Sequence, residues 1–144
     1  MWRRVWVALV VASMVLVGVA VPAQAASATT VSGWSTTSAS GAVGYVIKDA
    51  VSVKTGTGFV ARAVSVQRRP STSSTWSTVA SGTTTSAGAY TASYTVPGTG
   101  VWYFRLIAPA TAKAAAKAST ARKVTGITGA ATTVSGWVST SASV

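Results

Sequence analysis

The stretch YTASYTVPGTGVWYFRLIA, Tyr90–Ala108, decides the fold class. In its first part Tyr90, Ala92, Tyr94 and Val96 alternate with Thr91, Ser93 and Thr95. In its last part Trp102, Phe104, Leu106 and Ala108 alternate with Tyr103, Arg105 and Ile107. Successive side chains of a strand point to opposite faces, so a period of two marks a strand with one face buried. Pro97-Gly98-Thr99-Gly100 between them has the composition of a chain reversal. Trp102 therefore falls on the core side and Tyr103 on the outer side, and Trp102→Ala is expected to destabilise more than Tyr103→Ala.

The same pattern spreads outward in both directions. In Tyr45–Lys54, Ile47, Val51 and Val53 share a face; in Ala61–Arg69, Val64 and Val66 do. Val, Thr and Ser runs predict further strands at Thr29–Trp34, Ser38–Val43, Thr75–Ala80 and Ala121–Ile127. Turn clusters fall between them at Gly56-Thr57-Gly58, Pro70–Ser74, Ser81-Gly82 and Ala87-Gly88. Seven or eight short strands with regular turns predict an all-β sandwich or barrel. Ala108–Ala118 is Ala-rich, with Lys113 and Lys117 four apart. It is short for an independent helix and has no apolar stripe, so it reads as a surface connection with at most one helical turn.

Composition excludes much chemistry. The 144 residues contain no Cys, no His, no Glu and no Asn, and Asp49 is the sole acid. General acid–base catalysis draws on His or paired carboxylates. Zinc and calcium sites need several Cys, His or carboxylate ligands. The reading is a non-enzyme without cofactor or metal. Twelve Lys and Arg give a net charge of +11.

Arg3 and Arg4 precede an uncharged apolar run, Val5–Val21, followed by Pro22-Ala23-Gln24-Ala25-Ala26. Basic start, apolar middle and small-residue end are the parts of a secretory signal peptide. Residues 1–25 are expected to be removed, with no stable membrane span left. Intact mass of the secreted protein checks this: it should begin at Ala26, whereas a retained segment would imply an anchor. The remainder keeps ten basic residues and Asp49, a net charge of about +9. The expected location is extracellular or at the cell surface.

ATTVSGW occurs at Ala28–Trp34 and again at Ala131–Trp137. Extended to thirteen residues, the copies match at eleven positions. A 103-residue offset is the length of a whole sandwich domain. The chain divides into a signal (1–25), one complete unit (26–128) and the truncated opening of a second (129–144). That last piece is expected to add little stability, because Val134, Trp137 and Val138 offer little area to bury.

Val64–Thr111 carries Gln67-Arg68-Arg69, Trp76, Thr85, Gly88-x-Tyr90 and Trp102-x-Phe104-Arg105. This run resembles the bacterial immunoglobulin-like domains of actinobacterial secreted and surface proteins, over about Ala28–Thr128. The resemblance implies an immunoglobulin-like β-sandwich of about seven strands, working as a spacer, adhesion or cell-wall-association unit in a repeat array. It brings no catalytic residues. The alternative is a carbohydrate- or cell-wall-binding accessory module of an extracellular enzyme.

Candidate contacts follow from residue type. Trp34, Trp76 and Tyr103 could stack on sugars, while the plainer reading packs Trp34 and Trp76 at the sandwich rim. Arg68 and Arg69, with Arg62, Arg105, Lys113, Lys117, Arg122 and Lys123, could form an anion-binding surface. The partners this implies are anionic cell-wall polymers or glycans, bound weakly and lost with salt, with no specific nucleic acid; the module is expected to be a monomer. Lys54-Thr55-Gly56 and Gly56-Thr57-Gly58-Phe59-Val60-Ala61 resemble catalytic and nucleotide-binding motifs but lack the accompanying residues, so they read as a strand entering a turn and as a hairpin turn. Asp49 shares the face of Ile47 and Val51 and needs a cationic partner if buried; Arg68 or Arg105 is expected.

Overall fold

A computed structural model describes residues 25–129. Nearly all of the signal segment and residues 130–144 lie outside the described residues, and so do the expectations that fall on them. The described part is all-β, with ten strands and no helix. They are β1 (Thr29–Ser32), β2 (Ala39–Ala42), β3 (Val46–Thr55), β4 (Gly58–Phe59), β5 (Ala63–Pro70), β6 (Ser77–Thr83), β7 (Ala89–Thr95), β8 (Gly100–Ala108), β9 (Lys117–Ala118) and β10 (Arg122–Ile127). The eight longer strands coincide with the eight expected, apart from shifts at their ends. No helix among the described residues is long and apolar enough to cross a membrane.

Two sheets form. In the smaller, β3 pairs antiparallel with β1, with β7 and with β4. In the larger the order is β2-β10-β8-β5-β6, with β9 on the end of β8. All its pairs are antiparallel except β2 with β10. The turn Pro97–Gly100 does not close a hairpin: β7 and β8 lie in different sheets, so the chain crosses the sandwich there. Gly56 takes φ +59 in the turn joining β3 to β4, so both look-alike motifs are indeed strand and turn. Residues 109–116 are a surface connection without a helical turn; Thr111 and Ala114 exchange backbone hydrogen bonds.

The alternation seen in sequence is the core. Val51, Val53, Val64, Val66, Ala92, Tyr94, Val96, Phe104, Leu106, Ala108 and Val124 are buried between the sheets. Trp102 packs at the margin, half-buried, its indole N–H donating to the Gly98 carbonyl at 3.0 Å. Trp34 departs from the rim position expected of it. Gly33 has φ +78, a conformation L side chains rarely adopt, and this breaks the alternation of β1. The next side chain, Trp34, turns inward and stacks on Tyr94 with ring centroids 5.5 Å apart.

Asp49 is buried, and its partner is neither Arg68 nor Arg105. Arg122 Nη1 lies 3.2 Å from each carboxylate oxygen, and the Tyr94 hydroxyl donates to Oδ2 at 2.8 Å. The pairing has a geometric cause. Arg122 sits directly opposite Phe104, so it shares the inward face of β10 with Val124, whereas Arg105 sits on the outward face of β8. Asp49 on β3 and Arg122 on β10 thus join the two sheets. Burial, and next the hydrogen bond to Asp49, raise the Tyr94 phenol well above its usual range. A pKa raised on folding means stability complete below the unfolded value of about 10 and lost as pH rises beyond it. The melting temperature should therefore fall above about pH 10, and Tyr94→Phe should flatten that fall; an unchanged alkaline slope in the variant would contradict this role.

Candidate functional site

The outward face of the larger sheet brings together three cations, Arg69, Arg105 and Lys123, and two aromatic rings, Trp76 and Tyr103. Three cross-strand pairs build it: Gln67 opposite Arg105, Arg69 opposite Tyr103, and Tyr103 opposite Lys123. Directly opposed residues stand about 5 Å apart at Cβ, so Arg69, Tyr103 and Lys123 make a row across β5, β8 and β10. Gln67 Oε1 accepts from Arg105 Nε at 3.0 Å and from Nη2 at 2.8 Å. Arg69 Nη1 donates to the Ser73 carbonyl at 2.6 Å.

Trp76 reaches this face because of a bulge. Val66 pairs with Ala80, but Gln67 pairs with Thr78, leaving Val79 as an extra residue in β6. In an unbroken register Trp76 would fall opposite Pro70, on the inward side; the extra residue moves it opposite Arg69. The Arg105 guanidinium then lies 4.2 Å from the Trp76 ring centroid and that of Arg69 lies 5.2 Å away. Arg69 also lies 4.8 Å from the Tyr103 ring. Planar guanidinium on an aromatic face is a favourable electrostatic contact. It offsets part of the repulsion between the two guanidiniums. Burial, and then the neighbouring Arg69 cation, push the Arg105 guanidinium below its ordinary value, yet arginine stays charged in proteins.

No acid neutralises this face, because Asp49 is buried between the sheets against Arg122. The remaining sequence candidates go elsewhere. Arg68 points to the other side of β5, its guanidinium 5.6 Å from the Trp102 ring. Trp34 is core and offers no open ring. Arg122 is held by Asp49. Arg62 is buried, and its two terminal nitrogens donate to Thr29 Oγ1, Thr55 Oγ1 and the carbonyls of Pro109 and Ala115. It ties β1, β3 and the 109–115 connection together rather than offering charge outward. Of the five residues singled out in sequence, Trp76, Tyr103 and Arg69 come together; Trp34 and Arg68 do not join them. Arg105, expected from sequence as a partner of Asp49, and Lys123, one of the general basic residues, complete the group.

Compared with family models, curated proteins and solved structures, the chain finds no match.

Proposed function

We propose that residues 26–128 form a non-catalytic, immunoglobulin-like module of a secreted or surface-displayed protein, a spacer and cell-wall-association unit. The face bearing Arg69, Arg105, Lys123, Trp76 and Tyr103 is its contact with anionic cell-wall polymer. The immunoglobulin-like reading is supported by the strand order. The first edge is divided, β1 joining one sheet and β2 running parallel to β10 in the other. The secreted location is supported by the signal-like residues 1–25 and the absence of Cys from the chain does not oppose it.

One observation carries the binding reading: three cations lie on one sheet face with no acid among them. A polymer with repeated phosphate or carboxylate groups can meet several of them at once. Exposed ion pairs contribute about 0.2–1 kcal/mol each, so each cation should change affinity by up to about fivefold. Such charges are screened beyond ~8 Å at physiological ionic strength. Cosedimentation of the mature protein with cell walls should therefore be weak, saturable and abolished by molar salt. Binding that survives molar salt would contradict it.

The half-exposed rings of Trp76 and Tyr103 favour a second reading, a glycan-stacking surface. The guanidiniums already against both rings weigh toward the anion. Salt-insensitive binding to a neutral glycan would reverse that order. An enzymatic role has no support: the sole acid is engaged in a pair that joins the sheets, and the chain has no His, Cys or Glu.

A further inference from the structure

We infer that the slot filled by β1 is also a docking site for residues 131–137 of a second copy of this chain, so that copies can join head to tail by strand exchange. What the slot requires is visible at four positions. Thr29 is buried, donates to the Ala115 carbonyl and accepts from Arg62. Val31 packs against the core. Gly33 runs so close to β3 that a Cβ there would stand 2.3 Å from the Ala50 carbonyl oxygen. Trp34 stacks on Tyr94. Residues 131–137 repeat this set without change, as Thr132, Val134, Gly136 and Trp137. They lie outside the described residues, but the requirements they match are those of the described slot.

β1 is displaceable by construction. It is four residues long and, among the described strands, pairs with β3 alone; on its other edge only Ser27, with backbone hydrogen bonds to Lys113 and Ala115, and the Thr29 hydroxyl hold it to the 113–115 connection. Geometry makes the exchange intermolecular. Ile127 pairs with Ala42, and the Tyr45 amide bonds back to Ala42, so β10 ends beside the start of β3. Thr29 stands opposite Thr55 at the far end of β3, nine residues or about 30 Å away at strand rise. The five steps from Ile127 to Thr132 reach at most ~18 Å. A chain's own second copy of the motif cannot occupy its own slot. Another molecule's can, and because donor and acceptor are different surfaces the contact does not close on itself. The chain's own β1 competes at an effective concentration on the order of millimolar, so exchange is slight in dilute protein and rises with concentration.

The test uses the absence of native cysteine. Ser32 lies opposite Ser52. Ser32→Cys with Ser52→Cys in the mature chain should close an intramolecular disulfide, establishing that the position accepts one. Ser52→Cys with Ser135→Cys should then give, under oxidation, a ladder of covalent dimers, trimers and higher species that grows with protein concentration. Adding Gly136→Val should remove the ladder, since its Cβ would strike the Ala50 carbonyl. Monomer alone from the Ser52/Ser135 pair, with the control disulfide formed, would overturn the inference. So would a ladder that Gly136→Val leaves intact.

Discussion

Arg122→Ala should cost the protein about 3–5 kcal/mol, a large part of a total stability of about 5–15 kcal/mol. The reason is Asp49. With Arg122 in place the carboxylate has a cation 3.2 Å away and the Tyr94 hydroxyl at 2.8 Å. Remove the guanidinium and the chain's only negative charge stays buried between two sheets with one neutral donor. The Thr37 carbonyl, which accepts from Arg122 Nε at 3.0 Å, is released as well. The cost arises from stranding a charge rather than from the attraction of the pair. Asp49→Leu with Arg122→Met and Tyr94→Phe, the last removing the hydroxyl that would lose both its partners, should therefore recover most of it, because apolar replacements of similar volume are often neutral or better. Urea denaturation midpoints of the two variants decide. If the triple variant is as unstable as Arg122→Ala, the attraction itself stabilises the fold.

Phe104→Ala should fall in the same range, about 3–5 kcal/mol, while Tyr103→Ala should cost no more than ~1 kcal/mol. Phe104 has no exposed surface, and its ring centroid lies 4.5 Å from that of Tyr94. Its removal leaves a cavity under the Trp34–Tyr94–Phe104 stack. Tyr103, one residue earlier, points outward, and the contact it loses is that with Arg69. Thermal melts of the two variants test the register of β8 directly. A lower midpoint for Tyr103→Ala than for Phe104→Ala would mean that the two faces are exchanged, and equal midpoints would contradict the burial difference.

Strand faces were legible in the sequence because burial imposes a period of two on residues such as Tyr90–Val96 and Val101–Ala108. Two of the four places where sequence reasoning falls short share a cause, that alternation tells which face a residue occupies but not what lies across from it; the other two, Trp34 and Trp76, follow from a single residue that breaks the alternation. Alternation sets Asp49 inward, yet its partner is 73 residues away on another sheet. Reading Ala121–Ile127 by the same rule would have put Arg122 inward beside Val124 and raised it as the partner. Trp34 escapes the pattern because Gly33 interrupts the alternation at a single residue. Alternation alone does not bring Trp76 to the outward face, because one extra residue, Val79, reverses the faces of the strand start that follows the Pro70–Ser74 turn. The crossing at Pro97–Gly100 looked like any tight turn, since composition marks a reversal without saying which sheet the chain enters.

The candidate site was half visible for the same reason. Arg69 and Tyr103 alternate outward in their own strands, but their adjacency depends on the β5–β8 register, and that of Trp76 on the bulge. The decisive measurement compares two charge-neutralised proteins. Arg69→Gln, Arg105→Gln and Lys123→Gln together remove the cations of the larger sheet's outward face. Lys48→Gln and Lys54→Gln remove cations from exposed positions of β3 in the smaller sheet. With both variants shown to fold by thermal melting, cosedimentation with anionic cell-wall polymer at low salt should be abolished in the first and largely kept in the second. Equal retention in both, or losses that merely follow the number of charges removed, would contradict the assignment of this face.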